Sequence, residues 1–137
     1  METNSEKIKK LFQQSSEVIL KSKILSSKIE EAINLINSSL ENGNKILIFG
    51  NGGSAADAQH MAAEFIGRYL IERLSLPAIA LTTDTSILTA IGNDYDFNEI
   101  FSRQCESLVN EGDIIIAIST SGKSKNVILG IEEAKKH

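Results

Sequence analysis

The stretch 45-KILIFGNGGSAADAQHMAAEFIGR-68 decides the fold. Lys45 to Phe49 is a short apolar run, the pattern of a strand covered on both faces. Gly50, Gly52 and Gly53 interrupt it, and glycines permit positive φ and close approach of backbone to a ligand. Ser54 or Asn51 is placed to cap the helix that follows through Ala58, Ala62 and Phe65. A glycine-rich turn opening a helix leaves backbone N–H groups free, which suits an anion. Further along the same helix stand His60 and Glu64, four residues apart and therefore on one face. Their spacing leaves three readings open: a solvated pair, two metal ligands, or an acid/base pair.

Outward from this core the helical period dominates. Residues 5 to 21 and 23 to 41 each carry apolar side chains at helical spacing without Gly or Pro. This N-terminal pair covers residues 1–43, and its apolar face is expected to cover the sheet or a neighbouring subunit, the subunit being preferred. After the central helix, 69 to 76 is charged and expected to be partly exposed. Pro77 opens a second strand of four or five residues in PAIALTTD. Ser86 to Ile91 predicts one or two helical turns, Gly92-Asn93-Asp94 a turn, and Phe97 to Glu111 a helix stopped by Gly112. The run IIIAIS from Ile114 is the third strand, followed by Ser119-Thr120-Ser121-Gly122 and a final helix from about Ser124.

Strands alternating with helices predict an α/β fold: a three-layer α-β-α sandwich with a parallel sheet. The helical pair precedes it. Ligands of such sheets bind beyond the carboxyl ends of the strands. Here those ends are Gly50 to Ser54, Thr82 to Asp84, and Ser119 to Gly122. Three strands are few for this architecture, so the 44–137 core is expected to be truncated at its C-terminus. The whole chain, 1–137, reads as one domain.

Composition narrows the function. A net charge of −4 argues against nucleic acid as partner, as do five Phe, two Tyr and no Trp. The single cysteine, Cys105, excludes an intramolecular disulfide, fits a reducing compartment and reads as a small buried hydrophobe. The polar N-terminus METNSEKIKK resembles no signal peptide, and no apolar run has the length of a membrane span. Ser119-Thr120-Ser121-Gly122-Lys123-Ser124 offers four hydroxyls at a helix start, more than a cap needs, and points to phosphate. The P-loop pattern is absent. Gly50, Gly52 and Ala55 match G-x-G-x-x-[GA], but Asp84 lies further on than the usual ~20 residues for a ribose acid.

Four segments together carry a resemblance: GNGGSAADAQHMAAE at 50–64, PAIALTTDTS at 77–86, AIGNDYDFNEIFSRQ at 90–104 and ISTSGKSKNV at 118–127. The chain resembles the phosphoheptose isomerase family of the sugar isomerase (SIS) superfamily. The resemblance implies a cytoplasmic homotetramer converting sedoheptulose 7-phosphate to D-glycero-D-manno-heptose 7-phosphate. That reaction opens nucleotide-activated heptose synthesis for lipopolysaccharide core or other surface glycans. It further implies that Ser119, Thr120, Ser121 and Ser124 hold the phosphate. Asn51, Gly52, Gly53 and Ser54 line the sugar site, with Asn93 and Asp94 facing the substrate. By the same resemblance His60 and Glu64 are zinc ligands, and Glu64 is also the catalytic acid/base. In that family a later helix supplies a Gln and a His that complete the metal site, and no residues of this chain match them. The alternative is a non-catalytic SIS module that binds a phosphosugar or a protein partner; a nucleotide-binding Rossmann fragment is a third reading.

Overall fold

The structure is a computed structural model that describes residues 2–137. They form two compact units, one ending at Leu35 and one spanning Ile36–His137. The first unit contains helix α1 (Asn4–Lys21), a short 3-10 turn (Ser22–Leu25) and the start of α2 (Ser26–Glu41). Thr3 caps α1 by accepting from the N–H of Glu6, while the Glu6 carboxylate accepts from the N–H of Thr3. This reciprocal capping box satisfies two otherwise orphaned donors. No residue of α1 is buried.

The second unit is built on a parallel sheet of β1 (Ile46–Gly50), β2 (Ala78–Ala80) and β3 (Ile114–Ile118), in the order β2-β1-β3. Between and after the strands lie α3 (Gly53–Ile66), α4 (Thr85–Asp94), a 3-10 turn (Phe97–Glu99), α5 (Ser102–Leu108) and α6 (Lys125–Ala134). The central position of β1 explains its continuous apolar run, because both faces and both edges are covered. Ile46, Leu47, Ile48 and Phe49 are fully buried. Each such side chain contributes about 1.5–3 kcal/mol relative to exposure.

The two-residue alternation of the strand sorts these side chains into two cores. Leu47 and Phe49 pack with Leu81, Ile100, Phe101, Cys105 and Val127 on one face. Ile46 and Ile48 pack with Ala58, Ala62, Ala78 and Ala80 on the other, where Ile36 and Leu40 of α2 also lie. β3 repeats the parity, with Ile115 and Ala117 toward the first core and Ile114, Ile116 and Ile118 toward the second. The second unit is therefore an α/β fold with helices on both faces of a parallel sheet. Phe49 stacks on Phe101 with ring centroids 4.8 Å apart, and Gly130 of α6 leaves room for that stack.

Several local expectations are corrected. Gly92-Asn93-Asp94 is the last turn of a ten-residue α4 and not a turn after a short helix. Asp84 caps the start of α4 by accepting from the N–H of Ile87 at 2.9 Å, and the apolar period of Ile87, Leu88 and Ile91 carries the helix through Gly92. The helix expected over 97–111 divides into the 3-10 turn and a seven-residue α5. It ends early because Val109 is extended and Asp113 draws Asn110 into a tight turn, accepting from its N–H at 2.8 Å. β2 has three residues, not four or five, although Leu81 N still donates to Ile48 O at 2.9 Å. The second helix begins at Ser26, after the 3-10 turn, and not at 23.

At the amino ends of the strands, Asp113 accepts from the backbone N–H of Lys45 at 2.9 Å and pairs with the Lys45 ammonium. Ser39 at the end of α2 donates to Gly112 O at 2.7 Å. These bonds tie β1, β3 and α2 together at the edge opposite the site described next.

Candidate functional site

All three strands run in one direction, so the segments after β1, β2 and β3 emerge at the same edge of the sheet. The first segment is Asn51-Gly52 leading into α3. Gly52 adopts φ +56°, a conformation that L side chains rarely take, and it stands at the N-cap position without a side-chain hydrogen bond. The cap expected from Ser54 or Asn51 is thus corrected. The turn is closed by the backbone instead: Ser54 N donates to Asn51 O at 2.9 Å, and Ala55 N to Gly52 O at 3.0 Å. Ser54 is buried beneath the turn, whereas Gly52 and Gly53 are exposed.

Gly50 ends β1 where the backbone passes close to two neighbours. A Cβ there would lie 2.6 Å from the Ile118 carbonyl oxygen and 2.7 Å from Ser54 Cβ. Only glycine lets the start of α3 and the end of β3 approach β1 this closely.

The third segment is Ser119 to Ser124, leading into α6. Ser119 Oγ accepts from the N–H of Gly122 at 3.1 Å and lies 3.4 Å from Ser124 Oγ. Ser121 Oγ accepts from the N–H of Lys123 at 3.1 Å. Gly122 has φ +64°. The hydroxyls fold back onto the turn, Thr120 and Ser121 are exposed, and Ser124 occupies the N-cap position without a side-chain cap. Hydroxyls and N–H groups gathered at the start of a ten-residue helix can donate to a phosphate, whose charge the helix dipole favours.

The two helix-opening turns are joined by a pair of amides. Asn51 Nδ2 donates to Asn126 Oδ1 at 2.8 Å, and Asn126 Nδ2 donates back to Asn51 Oδ1 at 2.9 Å. Asn126 is only 3% exposed. The sequence reading singled out Asn51 and missed Asn126, because no local pattern announces a partner 75 residues away.

The second segment closes the side of the site toward β2. Gln59 of α3 donates to the Thr82 hydroxyl at 3.3 Å, and the buried Gln104 donates to Leu81 O at 3.0 Å. A cleft of about 160 Å³ lies here, bounded by Gly50, Asn51, Gly52, Thr82, Leu88 and Phe97 among others. Of the expected substrate residues it takes in Asn51 and Gly52. Asn93 and Asp94 stand outside it, exposed on the last turn of α4, with Asn93 Nδ2 donating to Asp94 Oδ1 at 2.8 Å.

His60 and Glu64 occur on successive turns of α3, with Nε2 3.5 Å from Oε1. The imidazole is largely exposed and the carboxylate partly so. Their donor chemistry suits zinc, and the distance permits both to reach one ion. Among the described residues, no group of three or more His, Cys, Asp or Glu gathers that would hold a metal. The pair therefore provides two ligands of a set that usually numbers three or four. The backbone carbonyl of Glu64 accepts from Arg73 Nη2 at 2.7 Å, and Phe65 O accepts from Arg73 Nη1 at 2.9 Å. Arg73 thus satisfies the C-terminal carbonyls of the helix that carries Glu64. Around it, Tyr69, Leu70, Ile71 and Leu74 are exposed, more apolar than the charged surface expected there.

Cys105 lies in the core and not at this edge; burial first, and the charge of Glu133 second, push its thiol up to about 11. Among the described residues no helix is long and apolar enough to cross a membrane.

Known proteins share the fold. Residues 7–137 match the family model described as SIS domain. The chain is 57% identical over 130 residues to a phosphoheptose isomerase of Aquifex aeolicus (strain VF5), covering 94% of this chain and 68% of that protein. It is 62% identical over 112 residues to one of Campylobacter concisus (strain 13826), covering 82% and 59%. Among solved structures, phosphoheptose isomerase GmhA from Neisseria gonorrhoeae superposes with a TM-score of 0.91 at 47% identity, over 98% of this chain and 70% of that one. A phosphoheptose isomerase from Francisella tularensis gives 0.94 at 40% identity, over 98% and 71%.

Proposed function

The chain belongs to the SIS domain family, among its phosphoheptose isomerases, and from that premise we propose that it serves the interconversion of sedoheptulose 7-phosphate and D-glycero-D-manno-heptose 7-phosphate. The chain spans 59% and 68% of the two curated relatives described above, so the activity is proposed for the protein of which these residues are a part. The observation that carries the reading is the pairing at the sheet edge. The glycine turn opening α3 and the serine turn opening α6 lie on adjacent strands, bridged by Asn51 and Asn126.

In this mechanism Ser119, Thr120, Ser121 and Ser124 hold the phosphate, with the N-terminus of α6 favouring its charge. Asn51, Gly52 and Gly53 border the sugar with Ser54 supporting the turn from beneath, and the exposed Asn93 and Asp94 of α4 face the substrate from outside the cleft. Glu64 takes the proton from the hydroxyl-bearing carbon beside the carbonyl and delivers it to the former carbonyl carbon, while that hydroxyl's own proton passes to the former carbonyl oxygen, so that the exchange runs through an enediol. His60 and Glu64 would hold a zinc ion, whose other ligands come from outside the described residues. When bound, zinc supplies Lewis-acid polarisation of the carbonyl oxygen.

The same reading makes the protein a cytoplasmic homotetramer. Support comes from the first unit, where Ile8, Leu11, Phe12 and Ile19 stand more than half exposed on an amphipathic helix. The product would feed nucleotide-activated heptose synthesis for surface glycans.

An isomerase assay with sedoheptulose 7-phosphate and added zinc tests the proposal. Glu64→Gln is expected to lose turnover while still binding the sugar phosphate, and Ser121→Ala to weaken binding. Turnover unchanged in Glu64→Gln sinks the role given to it. Binding without turnover in these 137 residues assigns the activity to the longer protein; binding without turnover in that longer protein favours the non-catalytic module.

A further inference from the structure

Asn126 is buried, was not among the expected site residues, and has its amide oxygen and one amide hydrogen held by fixed partners. Its Oδ1 accepts from the N–H of Val127 at 2.9 Å as well as from Asn51. A backbone N–H can only donate, so this bond fixes which side of the Asn126 amide is oxygen. Nδ2 must then face Asn51 Oδ1, and the reciprocal pair has one orientation only. Asn51, half-buried and bordering the cleft, retains an amide hydrogen and a carbonyl lone pair with no partner among the described residues.

We infer that Asn126 is a positioning residue of this site: its amide pair locks the turn 51–54 to the turn 119–124, so that a sugar phosphate meets both at one fixed separation. This rests on the sugar-phosphate reading above. The bridge costs the ligand nothing to form, because it is made before binding, and it spares the ordering of two loops on association. It also aims the free side of the Asn51 amide at the sugar. Inorganic phosphate engages only the serine turn, so it gains little from the bridge.

The test uses the full chain with Asn126→Ala, Asn51→Ala and the double variant. Asn126→Ser, whose hydroxyl can still serve Val127 N but cannot span to Asn51, stands in should the alanine variant fail to fold. Hydrogen exchange without ligand is expected to quicken in 51–55 and 119–125 and to stay unchanged in 46–50. In titrations, sedoheptulose 7-phosphate affinity is expected to fall about tenfold, the loss of roughly two net hydrogen bonds, with inorganic phosphate affinity held within about twofold. The double variant should be no worse than the worse single one. Unchanged exchange in both turns, equal losses for the two ligands, or additive losses would each overturn the inference. A wild-type chain binding sedoheptulose 7-phosphate no more tightly than inorganic phosphate would defeat the functional reading instead, and the exchange measurement would still decide whether Asn126 locks the turns.

Discussion

Gly50→Ala adds one methyl group at the point where β1, β3 and α3 meet. The new Cβ would lie 2.6 Å from Ile118 O, 2.7 Å from Ser54 Cβ and 3.1 Å from Ser54 O. Carbon atoms pack best at about 3.5–4.0 Å, so the methyl overlaps its neighbours by close to an ångström on two sides. Neither neighbour is the free end of a flexible side chain. Ile118 O belongs to the last residue of β3, and Ser54 Cβ sits in the first turn of α3. Relief therefore requires moving backbone, which places the cost toward the top of the usual overpacking range, about 3 kcal/mol. That is a large part of the 5–15 kcal/mol that stabilises an ordinary domain. Urea unfolding followed by circular dichroism, at one fixed protein concentration, should show a midpoint lower by roughly 1 M. The thermal midpoint should drop by about 10 °C or more. Gly53→Ala is the control: it meets nothing within 4 Å and its φ is not positive. It should leave stability unchanged or raise it by up to about 1 kcal/mol. If the two variants match within about 0.5 kcal/mol, the argument that β1 requires glycine for close approach is wrong.

Two further predictions concern ionisation. Burial by itself raises the Asp113 carboxyl, but hydrogen bonds from the Lys45 ammonium and from the N–H groups of Lys45 and Asn110, with the ammonium's charge, outweigh it and hold it below its ordinary value. A lowered folded-state pKa contributes stability that is complete above the unfolded value of about 3.9 and is lost as pH falls through the folded value. The stability gap between wild type and Asp113→Asn should thus be constant near neutrality and narrow below about pH 4; a gap that persists undiminished to pH 2 would refute this. Cys105, fully buried with its thiol pushed up to about 11, should resist a thiol reagent at pH 8 until the protein is unfolded. Labelling of the native protein at the rate of a free thiol would show that the core opens readily.

Local pattern and tertiary contact divided the work unevenly. The strand at 46–50, the helix opened by Gly52-Gly53 and the helix after Ser124 were legible because each is declared by a few neighbouring residues. A run of four apolar residues ended by glycine has one economical home in a parallel sheet. The end of the helix carrying Gly92 was misread because Gly92-Asn93-Asp94 has turn composition, while the packing of Leu88 and Ile91 kept the helix going. Strand β2 and helix α5 came out shorter than their sequence period because long-range pairing and the Asn110–Asp113 turn set their limits.

The sequence by itself determined the fold class, the three polar segments that follow the strands, and the His60–Glu64 face, since helical spacing alone puts residues four apart together. Only the tertiary structure decided that the segments after β1 and β3 are neighbours, because strand order is a property of the sheet and not of any stretch of chain. It alone placed Asn126 against Asn51, exposed Asn93 and Asp94 on the last turn of α4, and buried Ser54, an expected cap of α3, beneath the turn that opens the helix. The physical reason is common to all of these. A side chain's period reports which face of its own element it occupies, whereas its partners are chosen by elements that the chain brings back from far along its length.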